Sequence, residues 1–409
     1  MINYNSITLK SGLRVIINED KSTPLVAVNM LYDVGAKNES ENQTGLAHLF
    51  EHLMFSGSEN YPDYDDLVEN MSGESNAFTN NDITNYYLVV PSEYLLNALK
   101  LESDRMRHLT LFDKNLSVQK NVVIEEFKER YLNQPYGDLW QKIRALTYEH
   151  HPYKWQTIGK DISHIEQVTL PIARSFYDRF YTPQNAILAI SGNIDDLNVA
   201  ELDSIFPKFD NNVAKQDSIT PEPLWAETKS MTITADVPVN VIVIAFQMCS
   251  RTDKDYYIYD LMSDVLSNGK SSRLYNSLVA QKGIFTEINA FISGDDDNGL
   301  FIIMGKYQDV SVEEGEKAIW NEIMIFANEE ISDEELQKVK NKNESDIALS
   351  NLKVLDKAMN LAYYAHLGNT ALINNEMEAY NAVTPSQIHA LAKKTFLQSP
   401  HRTLYYLKK

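Results

Sequence analysis

The ends of the two halves of this sequence echo each other, and the echo limits the fold to a duplicated unit. Val168-Thr169 precedes a helical stretch through Phe180, then Thr182-Pro183, then a strand-like run over 186–191. Val383-Thr384-Pro385 precedes a helical stretch through Phe396, then Ser399-Pro400, then a similar run over 402–407. At 409 residues the chain also exceeds what one hydrophobic core usually organises. Together these features predict an α+β protein of two homologous domains, each a mostly antiparallel sheet packed with helices. The stretch 211–224 is polar, holds two prolines and lacks a consistent period. We therefore expect domains over 1–212 and 229–409, joined by a linker over 213–228.

Within the first half, alternating runs predict strands over 6–10, 13–18 and 24–32, with Ser11-Gly12 as the first turn. The period then becomes helical from Thr44, and Asn60-Tyr61-Pro62 separates that helix from a second over 64–71. Strands follow over 74–80 and 84–90, then three helical stretches between Ser92 and Tyr148. The second half restarts with strands over 231–235 and 239–248. Two more are expected over 285–291 and 300–306, with helices filling most of 255–279 and 312–397.

Charge narrows the function classes. A net charge of -20 and a pI near 4.9 disfavour sequence-independent nucleic-acid binding, which needs a concentrated Lys/Arg face, and suit basic or extended peptides better. No run of 18 or more apolar residues spans a bilayer. The N-terminus has no basic and apolar leader, so a cytoplasmic protein is expected, or a periplasmic one if a signal peptide has been removed. The single cysteine, Cys249, has no partner for an internal disulfide and is expected to be a buried, inert thiol.

The chemistry concentrates in residues 48–52, His-Leu-Phe-Glu-His. Helical positions four apart lie on one face, so His48 and His52 can aim imidazole nitrogens at one ion. Glu51 borders that face, where a carboxylate can take a proton from a water held by the ion. In a chain with 9 histidines and 57 acidic residues, chance produces such a pattern roughly 0.03 times. Two incidental histidines are thus the weaker explanation, and H-x-x-E-H is the inverted zincin signature. A catalytic Zn2+ site needs a third protein ligand. The segment Val122-Val-Ile-Glu-Glu126 offers one, because Glu126 follows Val122 and Val123 by four and three residues and would share their apolar face. Glu125 and Glu129 are the alternative ligands. The isolated histidines, His108, His164, His366, His389 and His401, and the turn at His150-His151, read as surface or packing residues.

This ordered set resembles the insulinase or pitrilysin peptidases, and its length is closest to their mitochondrial-processing-peptidase-like branch. The motifs are His48-Leu-Phe-Glu51-His52, Ser75-Asn-Ala-Phe-Thr79, Thr84-Asn-Tyr-Tyr87, Glu102-Ser-Asp-Arg-Met106 and Val122-Val-Ile-Glu-Glu126. The likeness continues through His151-Pro-Tyr153, Ile158-Gly159, Tyr181-Thr-Pro183, Ser191-Gly-Asn193 and Gly269-Lys-Ser-Ser-Arg-Leu-Tyr275, so it covers both halves.

The resemblance implies a zinc metalloendopeptidase that cleaves peptides or unfolded segments in an enclosed chamber. Glu126 would be the third ligand, and Asn76, Ala77, Phe78 and Thr79 would bind substrate on a sheet edge by main-chain pairing. Two departures stand out. The family's second important glutamate, seven residues before the ligand, is Gln119 here. The arginine and tyrosine that single-subunit relatives carry in the second domain fall on Val279 and Thr286. That absence implies a heterodimer with a homologous subunit supplying the pair, with a homodimer as the alternative. A metal-binding scaffold without catalysis is the remaining class.

Overall fold

The computed structural model describes residues 1–194, 197–208, 218–294 and 296–409. Its first sheet contains β1 (Asn5–Thr8), β2 (Arg14–Glu19), β3 (Leu25–Tyr32), β4 (Glu74–Thr79), β5 (Thr84–Pro91) and β6 (Ala186–Gly192), in the order β1-β2-β6-β3-β5-β4. The second contains β7 (Lys229–Ala235), β8 (Asn240–Gln247), β9 (Glu287–Ser293), β10 (Leu300–Tyr307) and β11 (His401–Lys408), in the order β7-β11-β8-β10-β9. Leaving out β1, the two orders correspond strand for strand. The echoing runs are β6 and β11, and each inserts parallel to one neighbour and antiparallel to the other. A parallel pairing needs a crossover, and the helices Leu170–Phe180 and Pro385–Ala392 lie on those connections. The remaining pairings are antiparallel, and the fold is α+β with the repeated unit anticipated from the sequence.

The central strands read as they do because both faces are covered. All of β6 is buried, as is β3 beyond its first residue, which gives continuous apolar runs in place of alternation. Asn29 and Asn85 interrupt β3 and β5 with polar side chains, yet each amide donates to the other's oxygen at 2.9 and 2.8 Å. Reciprocal pairing removes the cost of burying them.

The division of the chain is not a single cut. One unit comprises Met1–Glu129, Trp155–Ile219 and Ile347–Asn374, and the other Arg130–Lys154, Thr220–Asp346 and Asn375–Lys409. Each sheet thus takes a covering helix from the other half of the sequence. In the first unit, Ala358, Leu361 and Ala362 of the helix Val354–His366 pack on Ile16, Ala27, Leu31 and Ile187. In the second, Leu139 and Ile143 of the helix Leu139–Thr147 pack with Val241, Val243 and Leu404. These units are discontinuous in sequence, whereas the expected domains over 1–212 and 229–409 are each one continuous stretch. Of the expected linker, 213–217 lies outside the described residues. Most of the described part is exposed, but two side chains anchor it: Trp225 is buried and donates to Thr147 O at 3.1 Å, and the Glu222 carboxylate accepts from the backbone N–H groups of Glu149, His150 and His151. Among the described residues no helix is long and apolar enough to cross a membrane.

One ion pair fastens the late helix to the first sheet. Lys357 donates to Asp20, and that bond, aided by Ser22, holds the Asp20 carboxyl down at about 2. A depressed carboxyl stabilises the fold above its unfolded value near 4 and loses that contribution as pH falls toward 2. The side chain is 21% exposed, so solvent screening limits the effect to about 1 kcal/mol. Asp20→Asn should therefore lower the urea midpoint more at pH 6 than at pH 2, where most of the contribution is gone; an equal deficit at both would contradict this.

Candidate metal centre

The site starts from a helix whose beginning is unusually well held. Gly45 has φ +91, and a Cβ there would lie 2.7 Å from Ile158 O, so glycine alone fits before α1 (Leu46–Leu53). The helix N-terminus is capped from a distance: Glu39 Oε2 accepts from Gly45 N and Oε1 from Ala47 N, both at 2.8 Å. Burial outweighs these bonds and pushes the Glu39 carboxyl up to about 8. Leu49, Phe50 and Leu53 form the inner face of α1, and Phe50 stacks on Phe176 at 5.2 Å. With that face committed to the core, His48, Glu51 and His52 fall on the other side.

Helices α2 (Tyr64–Asn70) and α3 (Leu95–Arg107) meet through Arg105, whose guanidinium lies 5.0 Å from the ring centre of Tyr64. Arg105 and Glu102 of α3 form a fully buried bidentate pair, with Nε to Oε2 at 2.9 Å and NH2 to Oε1 at 2.7 Å. The guanidinium lies 4.5 Å from the ring centre of Tyr86, whose hydroxyl donates to Phe50 O at 3.2 Å. The Glu-Ser-Asp-Arg-Met segment is thus scaffolding for α1 and contributes no group to the site.

Helix α4 (Asp113–Phe127) brings in the carboxylate. Glu126 Oε2 lies 3.7 Å from His48 Nε2 and 3.4 Å from His52 Nε2, and the two imidazole planes stand at 80°. One donor atom from each residue lies within 4.8 Å of the other two. Donors each about 2.1 Å from a tetrahedral zinc ion stand roughly 3.4 Å apart, so two imidazoles and one carboxylate here fit such an ion and leave its fourth position open. The side chains are only 12%, 25% and 17% exposed, which shields the centre without sealing it.

The alternatives lie elsewhere. Glu125 is 71% exposed and pairs with Lys128 at 2.7 Å, and Glu129 is exposed. The expected apolar face is half correct: Val123 is buried but Val122 is 45% exposed, so Glu126 sits where the core-facing side of α4 turns to solvent. Gln119, two turns earlier, donates to Ser56 Oγ at 3.3 Å.

Strand β4 is the edge of its sheet. Ala77 and Thr79 pair with Tyr86 and Thr84, whereas Phe78 pairs with Asn85 and Asn76 with Tyr87, so alternate residues face opposite ways. Thr79 reaches the site: its hydroxyl donates to Glu51 Oε2 at 2.6 Å. Phe78 packs against the core under the helix Val354–His366, and exposed Asn76 accepts from Ala77 N at 2.8 Å through its own side chain. Of the four expected substrate residues, Thr79 is joined to the histidine helix by this side-chain bond.

Sequence reasoning missed Glu39 and the Thr79–Glu51 bond. Glu39 belongs to no periodic pattern, and only the Gly45 preceding a helix hints that something must cap it. In the second unit, Val279 lies in the π-helical segment Tyr275–Gln281, and the Thr286 hydroxyl donates to Lys306 O at 3.1 Å. Cys249 is half-buried, less than expected, but desolvation pushes its thiol up to about 12, which keeps it unreactive. His151 is buried, 3.0 Å from Asp297, and His164 lies 2.8 Å from Thr44 Oγ1, both packing roles as expected.

Comparison with known proteins finds relatives across both halves of the chain. Residues 14–161 match the model of the insulinase family, peptidase family M16, and residues 167–343 match that of the peptidase M16 inactive domain. The zinc protease PqqE of Helicobacter pylori is 30% identical over 358 residues, covering 86% of this chain and 80% of that protein. A probable mitochondrial-processing peptidase subunit beta of Arabidopsis thaliana is 23% identical over 355 residues, covering 84% of this chain and 66% of its own. The crystal structure of a protease from Helicobacter pylori superposes with a TM-score of 0.92 at 26% identity, with both chains fully covered. With both domain models matched in order and a 30% identical relative covered over most of its length, the chain belongs to the insulinase family, peptidase family M16.

Proposed function

We propose that this chain is the zinc-bearing subunit of a metalloendopeptidase, with His48, His52 and Glu126 as ligands and Glu51 as general base. The observation that carries the reading is the convergence of two imidazole nitrogens and one carboxylate oxygen beside Glu51 of the same helix. Zinc held there supplies Lewis acidity, lowering the pKa of water toward about 7 and polarising a carbonyl. Glu51 takes the proton from the attacking water and returns it to the departing amine. The open edge of β4 suits an extended backbone, because its main-chain groups can pair with a peptide through Asn76, Ala77, Phe78 and Thr79 largely without regard to side chains. Folded proteins rarely offer such a segment, so peptides and unfolded chains are the substrates. A mixed peptide library digested by wild type with zinc, wild type with chelator, and Glu51→Gln with zinc tests this: products should appear in the first reaction alone. Equal cleavage in all three would defeat the reading.

The zinc-bearing half is complete, but the substrate-binding pair is not. Val279 has no donor, and the Thr286 hydroxyl is committed to Lys306 O. Two copies of this chain would both lack the arginine and tyrosine, which favours a different, homologous subunit over a homodimer. A relative bearing the name of a subunit of a processing peptidase supports the same reading. Purified alone, the chain should bind zinc and cleave weakly, and adding a homologue that has the pair but no H-x-x-E-H should raise kcat/KM by about 100-fold or more. Full activity of the isolated chain, unchanged by such a partner, would rule this out.

A further inference from the structure

We infer that Thr79 is a positioning residue for Glu51, held in place by a bracket formed by residues 35–39. The inference rests on Glu51 being the general base. The Thr79 hydroxyl donates to Glu51 Oε2 at 2.6 Å, so the protein itself orients the carboxylate that is to accept the proton of the attacking water. A glutamate side chain has three rotatable bonds and no intrinsic preference for this direction, whereas threonine is branched at Cβ and stiff at χ1. The stiff partner therefore directs the flexible one.

Thr79 is itself the last residue of β4, and the turn after it is fixed at several points. Ala36 N donates to Asn80 O at 3.1 Å, and Lys37 N donates to Asn81 O at 2.8 Å. Lys37 Nζ lies 2.8 Å from Asp82 Oδ1, with both side chains under a tenth exposed. Inside the turn, Asn80 Oδ1 accepts from the N–H groups of Asp82 and Ile83, each at 2.8 Å. Gly35 passes so close that a Cβ would lie 2.5 Å from Asn81 O. The same segment ends in Glu39, whose side-chain oxygens accept from Gly45 N and Ala47 N at the start of α1. One short stretch thus grips both the strand that carries the hydroxyl and the helix that carries the base, and sets the distance between them.

Thr79 also stands on the strand proposed to pair with substrate, so the test separates positioning from substrate contact. Thr79→Val keeps the shape and the strand preference while removing the hydroxyl; Thr79→Ser restores it. With zinc-loaded full-length chain and any subunit its activity requires, Thr79→Val should lose about 10-fold in kcat with KM and zinc content unchanged, in the range of lost outer-shell bonds. Thr79→Ser should return to within about 2-fold of wild type. Crystals of the zinc-loaded variants give a readout independent of turnover: Glu51 should occupy more than one rotamer in Thr79→Val and a single one in Thr79→Ser. A raised KM at intact kcat, or an undisturbed Glu51 rotamer in Thr79→Val, overturns the inference. If the valine chain does not fold, Thr79→Ala carries the same comparison. Turnover surviving in Glu51→Gln defeats the base assignment instead, and the rotamer comparison keeps the two failures apart.

Discussion

Glu126→Gln is expected to weaken zinc binding by more than about 100-fold, whereas Glu125→Gln and Glu129→Gln should leave it within about 3-fold. An amide retains the shape of the carboxylate but not its charge, and a neutral oxygen is a poor third donor to a dication already bound by two neutral imidazoles. The loss should exceed the roughly 10- to 100-fold typical of groups that only orient ligands. The contrast among three neighbouring glutamates follows from their directions. Glu126 Oε2 sits within 3.7 Å of both imidazoles, while Glu125 turns outward to Lys128 and Glu129 faces solvent. Competition with a chromophoric zinc chelator measures all three constants. Equal loss at Glu125 would move the ligand one position along α4.

Glu51→Gln should keep full zinc content and lose about 1,000-fold or more in kcat, within the range for removal of a general base. His48→Ala and His52→Ala should lose zinc and turnover together. The separation is diagnostic because ligand and base share one helix: a change that merely disturbed α1 would affect metal and catalysis alike. α1 has its inner face locked by Phe50 on Phe176 and its N-terminus held by Glu39, so an isosteric change on its open face should leave the helix intact. Zinc content by elemental analysis, together with turnover on one fluorogenic peptide, distinguishes the two classes. Near-normal turnover in Glu51→Gln would remove the base from the account.

Much of this was legible in the sequence because it is local. Two histidines four apart need only a helix to share a face, and the echo around residues 168–191 and 383–407 needs only two runs of similar order; the sheets carry it as β6 and β11. Glu126, the proposed third donor, was singled out for a partly mistaken reason. Val122 is exposed, so the apolar-face argument held through Val123 alone. What could not be read is non-local. The helix Val354–His366 has an apolar stripe that covers either sheet equally well on paper, and nothing in its own pattern reveals that Leu361 packs on Ile16 and Leu31. Glu39 and Thr79 act through bonds to residues 6 to 28 positions away, and neither bond leaves a periodic trace. Those two side chains are also the ones bonded to the start of α1 and to Glu51, so the sequence pointed to the proposed reacting groups more fully than to the bonds around them.

The account stands most directly on where a zinc ion binds. Anomalous diffraction at the zinc edge, from crystals of the zinc-loaded chain, should give one strong peak bonded to His48 Nε2, His52 Nε2 and a Glu126 oxygen at about 2.0–2.2 Å. A peak held by Glu125 or Glu129, or one elsewhere with His48 and His52 left unbonded, would contradict it.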